Sequence, residues 1–248
     1  MNRISVIKVF LIAFAFLNIS MQVNPTRTKS TAHFRMQYER GIQEDEIRYT
    51  GALLESTYTH YAKVFGISFR RTTEVIVFKT IGRYRMESQS LIFDDGHYRA
   101  GRLYIMIPIG EDKREERRHS IARIVARAIL EQIPSCPEWL AVGYSLMVGG
   151  DLERFGPPVR VNVAQFSDLG EDYNRSVTKK DLKELHAKIA ATLQFLIGRY
   201  GEHAVVQMLQ KFKNEDSLQE VFEASFNEKM KVIEDAWVKY IDSAAQRR

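Results

Sequence analysis

A single thiol, Cys136, stands in the 248 residues, so the chain has no intramolecular disulfide framework. There are no internal repeats and no low-complexity segment, which removes solenoid and fibrous architectures. Basic residues are interleaved with acidic ones rather than gathered in runs, and the formal net charge is only +5. A balance this mild argues against a nucleic-acid partner. No G-x-S-x-G elbow occurs, and no residue spacing links His33, His60, His97 and His203 as metal ligands. What is present is ample apolar material, 45% hydrophobic and 11% aromatic, enough to bury a substantial core in one domain or two joined lobes.

The N-terminus reads as a targeting signal. Arg3 and Lys8 precede the apolar run 9–17, which is short for a membrane span and suited to a secretory signal over residues 1–20. Without those two charges the remaining chain carries 5 − 2 = +3. No Cys follows the run, which excludes lipoprotein attachment. Export to a periplasmic or extracellular space is the expectation. The alternative is an uncleaved anchor, which would then be the membrane attachment. Residues 21–31 are polar and read as linker.

Phe34, Met36 and Tyr38 alternate with polar residues at the period of a half-buried strand. Ile47, Leu54, Tyr58, Tyr61 and Phe65 recur at helical spacing and end at Gly66, a C-cap. Val75–Phe78 predicts a second strand, Asp94-Asp95-Gly96 and Ala100-Gly101 predict turns, and 102–107 a further strand. Downstream the pattern is helical: Leu185 to Tyr200 ending at Gly201, a capping box at Ser217–Glu220, and a last helix from about Asn227. That helix places Met230, Ile233, Trp237 and Tyr240 on one side.

Between these halves stands H-S-I-A-R (119–123), followed by P-E-W-L-A-V-G (137–143). The pair resembles the gluzincin zinc metallopeptidases, in particular the peptidase MA-like family, whose pattern is H-E-x-x-H and then P-x-W-L-x-E-G. The strand–helix–strand–hairpin order before it and the helices after it resemble that family across about residues 32–242. The resemblance implies an α+β, zincin-like fold. A mixed sheet with helices (about 32–133) would precede a C-terminal helical lobe (about 134–242), with 243–248 as a tail.

The family's zinc chemistry is not carried over. Its second His is Arg123, its catalytic Glu is Ser120 and its third ligand is Val142; His119 alone remains. A guanidinium has no lone pair to give and repels a dication, and a valine offers no donor. A shifted register, Glu115-Glu116-Arg117-Arg118-His119, puts charges at positions the motif keeps apolar. The resemblance therefore implies a pseudoenzyme without a zinc cofactor, a module in the cell envelope that holds a peptide or protein. The alternative is an active hydrolase with an unusual metal site, built from His119 with residues such as His186, Glu116 or Asp151. A purely structural envelope component is a third reading.

Glu115, His119, Arg123, Arg127 and Glu131 follow one another in steps of four. They read either as a solvated ladder, each pair contributing about 0.2–0.5 kcal/mol, or as the floor of the inherited cleft. In the second case Arg123 pairs with Glu131 or Asp151, or joins His119 to hold a carboxylate. Tyr104, on the last strand, and His186 are further candidate cleft residues. His119 and Ser120, adjacent on a helix, point about 100° apart and make a poor base–nucleophile pair.

Overall fold

The computed structural model describes residues 26–89, 96–107, 113–153, 165–175, 178–214 and 217–246. Five strands are described: β1 (Thr26–Ser30), β2 (Phe34–Glu39), β3 (Thr73–Phe78), β4 (Gly96–Arg99) and β5 (Arg102–Met106). They form one sheet in the order β1-β2-β3-β5-β4. The inner pairs β2–β3 and β3–β5 are parallel, and the edge strands β1 and β4 run antiparallel to their neighbours. The helices are α1 (Glu44–Phe65), α2 (Ile81–Ser88), α3 (Arg114–Leu130), α4 (Glu138–Val148) and α5 (Phe166–Arg175). They continue with α6 (Lys179–Tyr200), α7 (Glu202–Lys211), α8 (Leu218–Phe226) and α9 (Met230–Gln246). The protein is thus α+β, with the sheet gathered at the N-terminal end and helices dominating the rest.

Alternation along the strands decides which layer each side chain joins. Phe34, Met36 and Tyr38 of β2, Val75 and Val77 of β3, and Leu103 and Ile105 of β5 enter the main core under α1 and α3. Phe78 and Tyr104 point the other way and form a small satellite cluster with Tyr84 of α2. The apolar stripe of α1 is buried as its spacing predicts, and Gly66 ends the helix in the left-handed region at φ 57. Three carboxylates in its first turn, Glu44, Asp45 and Glu46, complement the positive end of the helix dipole. Ala100 and Gly101, at φ 49 and 77, make the two-residue turn that joins β4 to β5.

Several sequence expectations are corrected. Residues 26–30, read as linker, are β1, paired with β2 from Thr26↔Glu39 to Ser30↔Arg35. Thr-Arg-Thr-Lys-Ser shows no apolar alternation because this edge strand is largely exposed and is held by backbone bonding. Helix α6 starts at Lys179, well before Leu185, because Thr178 and Asp181 form a reciprocal capping box ahead of a polar first turn. On α9 it is Ile241, not Tyr240, that continues the buried stripe of Ile233 and Trp237. The 1–20 leader and the Asp94-Asp95 turn lie outside the described residues. Among the described residues no helix is long and apolar enough to cross a membrane.

The helical end is tied together by aromatic side chains and two buried polar contacts. Phe166 packs against Trp139, Phe222 and Trp237 at centroid distances of 5.8, 5.0 and 4.9 Å. The Phe166 amide donates to the buried Glu234 carboxylate of α9 at 2.9 Å, which satisfies an amide at the start of α5. Trp237 donates through Nε1 to Thr192 on α6 at 3.0 Å. Trp139 and Leu140 are fully buried, so the W-L pair anchors α4 in the core.

Candidate ligand-binding cleft

Helix α3 packs on β4 and β5 at one end of the sheet and positions the stripe that the sequence singles out. Steps of four advance about 40° beyond a full turn, so the stripe winds around the helix instead of running along it. Its two ends consequently meet different neighbours. At the N-terminal end the His119 side chain is 52% exposed and stands 3.6 Å from Glu115. It lines a shallow depression between α1 and α3 together with His60, Tyr61 and Arg118. Further along, Arg123 and Arg127 are only 8% and 11% exposed and line a separate cleft of about 360 Å³.

That cleft lies between the edge strand β4 and helices α3, α4, α5 and α6. Tyr98 stands on the strand side, Arg123, Arg127 and Glu131 on α3, and Glu138, Val142 and Ser145 on α4. Tyr173 of α5 and His186 of α6 complete it. Gly96 brings β4 close to α3: a Cβ there would stand 2.8 Å from the Ile124 side chain.

Both cleft arginines are locked to carboxylates. Arg123 pairs with Asp151. Gly150, at φ 70, turns the chain back after α4, and the Asp151 amide donates to the Leu146 carbonyl at 2.8 Å. Arg127 donates through Nε to Glu131, through Nη2 to the Glu138 carboxylate at 2.6 Å and through Nη1 to the Glu138 carbonyl at 3.3 Å. Its guanidinium also lies 5.9 Å from the centroid of the Tyr173 ring. Burial tends to lower the Arg127 pKa, but its partners, chiefly Tyr173 and Glu131, outweigh this and raise it. Burial pushes the Tyr98 and Tyr173 hydroxyls above their ordinary value, and the half-buried Cys136 thiol up to about 12.

The structure therefore brings Arg123, Arg127, Val142 and His186 together and leaves two expected residues elsewhere. His119 belongs to the α1–α3 depression and does not line this cleft. Tyr104 is buried in the satellite cluster on the opposite side of the sheet, its ring stacked on Phe78 at 6.4 Å. Strand β5 is bonded on both edges, to β3 and to β4, so it offers no edge to a peptide. Ser120 is buried on α3. The alternative ligand set does not converge: Asp151 is paired with Arg123, Glu116 with Lys113 at 3.5 Å, and His119 and His186 line different depressions.

Zinc does not fit the cleft residues. The i, i+4 pair that faces it is Arg123 and Arg127, two guanidiniums without lone pairs, opposite an aliphatic Val142. Among the described residues no group of three or more His, Cys, Asp or Glu side chains is placed to hold a metal ion. Sequence reasoning missed Glu138, Tyr98 and Tyr173. Glu138 sits beside the buried Trp139 in the first turn of α4, where an acid reads as a partner for the helix dipole. The chain matches no family model and no curated protein.

Proposed function

We propose that this chain is a non-catalytic binding module built on a metallopeptidase-like frame, and that its cleft holds an extended segment of a peptide or protein. The observation that carries the reading is the pair Arg123 and Arg127. They occupy the cleft-facing turn of α3, with Arg123 at the position the resemblance gives to the second zinc histidine, and each is neutralised by protein carboxylates. The antiparallel edge strand beside that helix supports a zincin-like frame.

Strand β4 supplies the recognition surface. Arg99 and Arg102 flank a two-residue turn and form a hydrogen-bonded pair, so bonding to β5 alternates along β4. The amide and carbonyl groups of Gly96 and Tyr98 then point away from β5, toward the edge that has no strand partner among the described residues. An added strand needs such groups and side-chain pockets, not a metal. The N-terminal signal pattern supports an envelope location.

The deciding experiment is metal analysis of the purified protein with zinc titration after chelator stripping, run beside backbone amide shifts of β4 on adding peptide. Absence of micromolar zinc binding together with shifts at Gly96 and Tyr98 is expected. Stoichiometric zinc lost on His119→Ala would overturn the reading in favour of a metal-dependent hydrolase.

A further inference from the structure

Accepting the cleft as a peptide site, we infer that its occupant presents a lysine or arginine side chain, inserted between Tyr98 and Tyr173 against Glu131 and Glu138. The sequence, with Arg123 and His119 on one stripe, points instead to a pocket for a carboxylate. Burial inverts that expectation. The Arg123 and Arg127 side chains are 8% and 11% exposed, whereas Glu131 and Glu138 are 34% and 47% exposed. The cations form the floor and the carboxylates form the rim.

Three of the five N–H groups of Arg127 are already directed at Glu131 and at the side chain and carbonyl of Glu138. Each carboxylate accepts from Arg127 through Oε1. An ionised carboxylate has two oxygens and about four acceptor sites, so both retain capacity toward a ligand. The remaining arginine that lines the cleft, Arg99, directs its guanidinium to the Ser88 carbonyl and the Gln89 side chain at the end of α2. His97, the other charge-bearing residue of β4, also lines the cleft, on the strand position before Tyr98. On α6, His186 forms part of the opposing wall.

The walls suit a cation as well. Tyr98 and Tyr173 both line the cleft, and burial raises both hydroxyls, so each side chain stays a neutral phenol. Ring faces of this kind attract ammonium and guanidinium groups when water is excluded. An anionic side chain entering the same space would meet two partly exposed carboxylates before reaching either arginine. Strand pairing at β4 sets the backbone of the segment, and the Glu131–Glu138 rim selects one of its side chains.

The test uses the purified full chain and three fluorescein-labelled, β-prone peptides that differ only in a central Lys, Gln or Glu. Affinity is read by anisotropy. The Lys peptide is expected to bind about tenfold tighter than the Gln peptide, the Glu peptide most weakly, and the Lys advantage to shrink on adding salt. Glu138→Gln keeps an acceptor for Arg127 but removes one rim charge, and should cut the Lys advantage by about threefold. The salt response of the unaltered protein gives a readout that no folding defect in the variant can imitate. Equal binding of Lys and Gln peptides, or preference for Glu, would overturn the charge assignment and leave the peptide cleft standing. Failure of all three peptides would remove the cleft reading, and this inference with it.

Discussion

The Arg127 guanidinium is 11% exposed and held by two glutamates, and this asymmetry of burial decides which partner matters more for stability. Arg127→Met leaves two carboxylates that are partly exposed and can recover water, so a loss of about 1–2 kcal/mol is expected. Removing both acids, Glu131→Ala with Glu138→Ala, leaves a buried cation without compensation and should cost about 3–5 kcal/mol. Urea midpoints of the two variants would rank them, and the opposite order would mean that the arginine is better hydrated than its burial implies. A second residue-scale case is Glu55 on α1. It accepts from the Thr31 hydroxyl at 2.5 Å and the His33 amide at 2.7 Å, and meets the His33 ring at 2.7 Å. Burial pulls its pKa upward, but the hydrogen bonds from Thr31 and His33 outweigh this and hold it below the ordinary value. A depressed folded-state pKa stabilises above the unfolded value and is lost as pH falls through the depressed one. Glu55→Gln should therefore cost about 1–2 kcal/mol near neutral pH, with the gap from the parent protein closing in acid. A gap independent of pH would show that the network does not depend on the charge.

Helices α4 and α6 meet at Gly143, and here the element scale sets the outcome. A Cβ at Gly143 would stand 2.3 Å from Leu193 Cδ2, 2.8 Å from its Cγ and 3.0 Å from Ile189. Alanine favours a helix over glycine by about 1 kcal/mol, yet Leu193 is fully buried and cannot swing aside. Overpacking should win, so Gly143→Ala is expected to destabilise by about 1–3 kcal/mol. Adding Leu193→Ala should then cost less than it does in the parent protein; simple additivity of the two changes would rule out the clash as the cause. The sequence made these elements legible to different degrees. The buried spacing of Ile47, Leu54 and Tyr58 and the alternation of Phe34, Met36 and Tyr38 are local signals, and both elements form where they predict. Strand β1 carries no such signal because little of it is buried. Tyr104 as a cleft residue followed from the family resemblance; strand geometry puts it on the side of β5 opposite Leu103 and Ile105. The cleft was half legible. Arg123, Arg127 and Val142 follow from one helix and its successor. Tyr98, Tyr173 and Glu138 join them only through tertiary packing, which residue spacing does not encode.

At the scale of the whole molecule, α3 belongs to both halves. It packs on α1 and β4 at the sheet side and on α4 at the helical side. One contiguous core accordingly runs from Phe34 on β2 through Ile121, Ile124 and Val125 of α3 to Trp237 and Ile241 on α9. A sheet lobe and a helical lobe cut near residue 133 would each expose the face they share along α3, an apolar surface worth about 1.5–3 kcal/mol for every large side chain uncovered. For a chain of this length, all-or-none unfolding is not the default, so the continuity of the core makes a definite claim. Both tryptophans, Trp139 and Trp237, lie in the helical half, and their fluorescence reports that half alone. The sheet and all the helices contribute to far-UV circular dichroism. The two signals should therefore trace one coincident transition in urea, and the Lys-bearing peptide should move both to the same higher midpoint, because a cleft built from β4, α3, α4 and α6 is lost only when both halves separate. Fluorescence that changes at a different urea concentration from the dichroism would mean that α3 stays with one half after the other has melted. The cleft would then sit on a hinge rather than within a single cooperative unit.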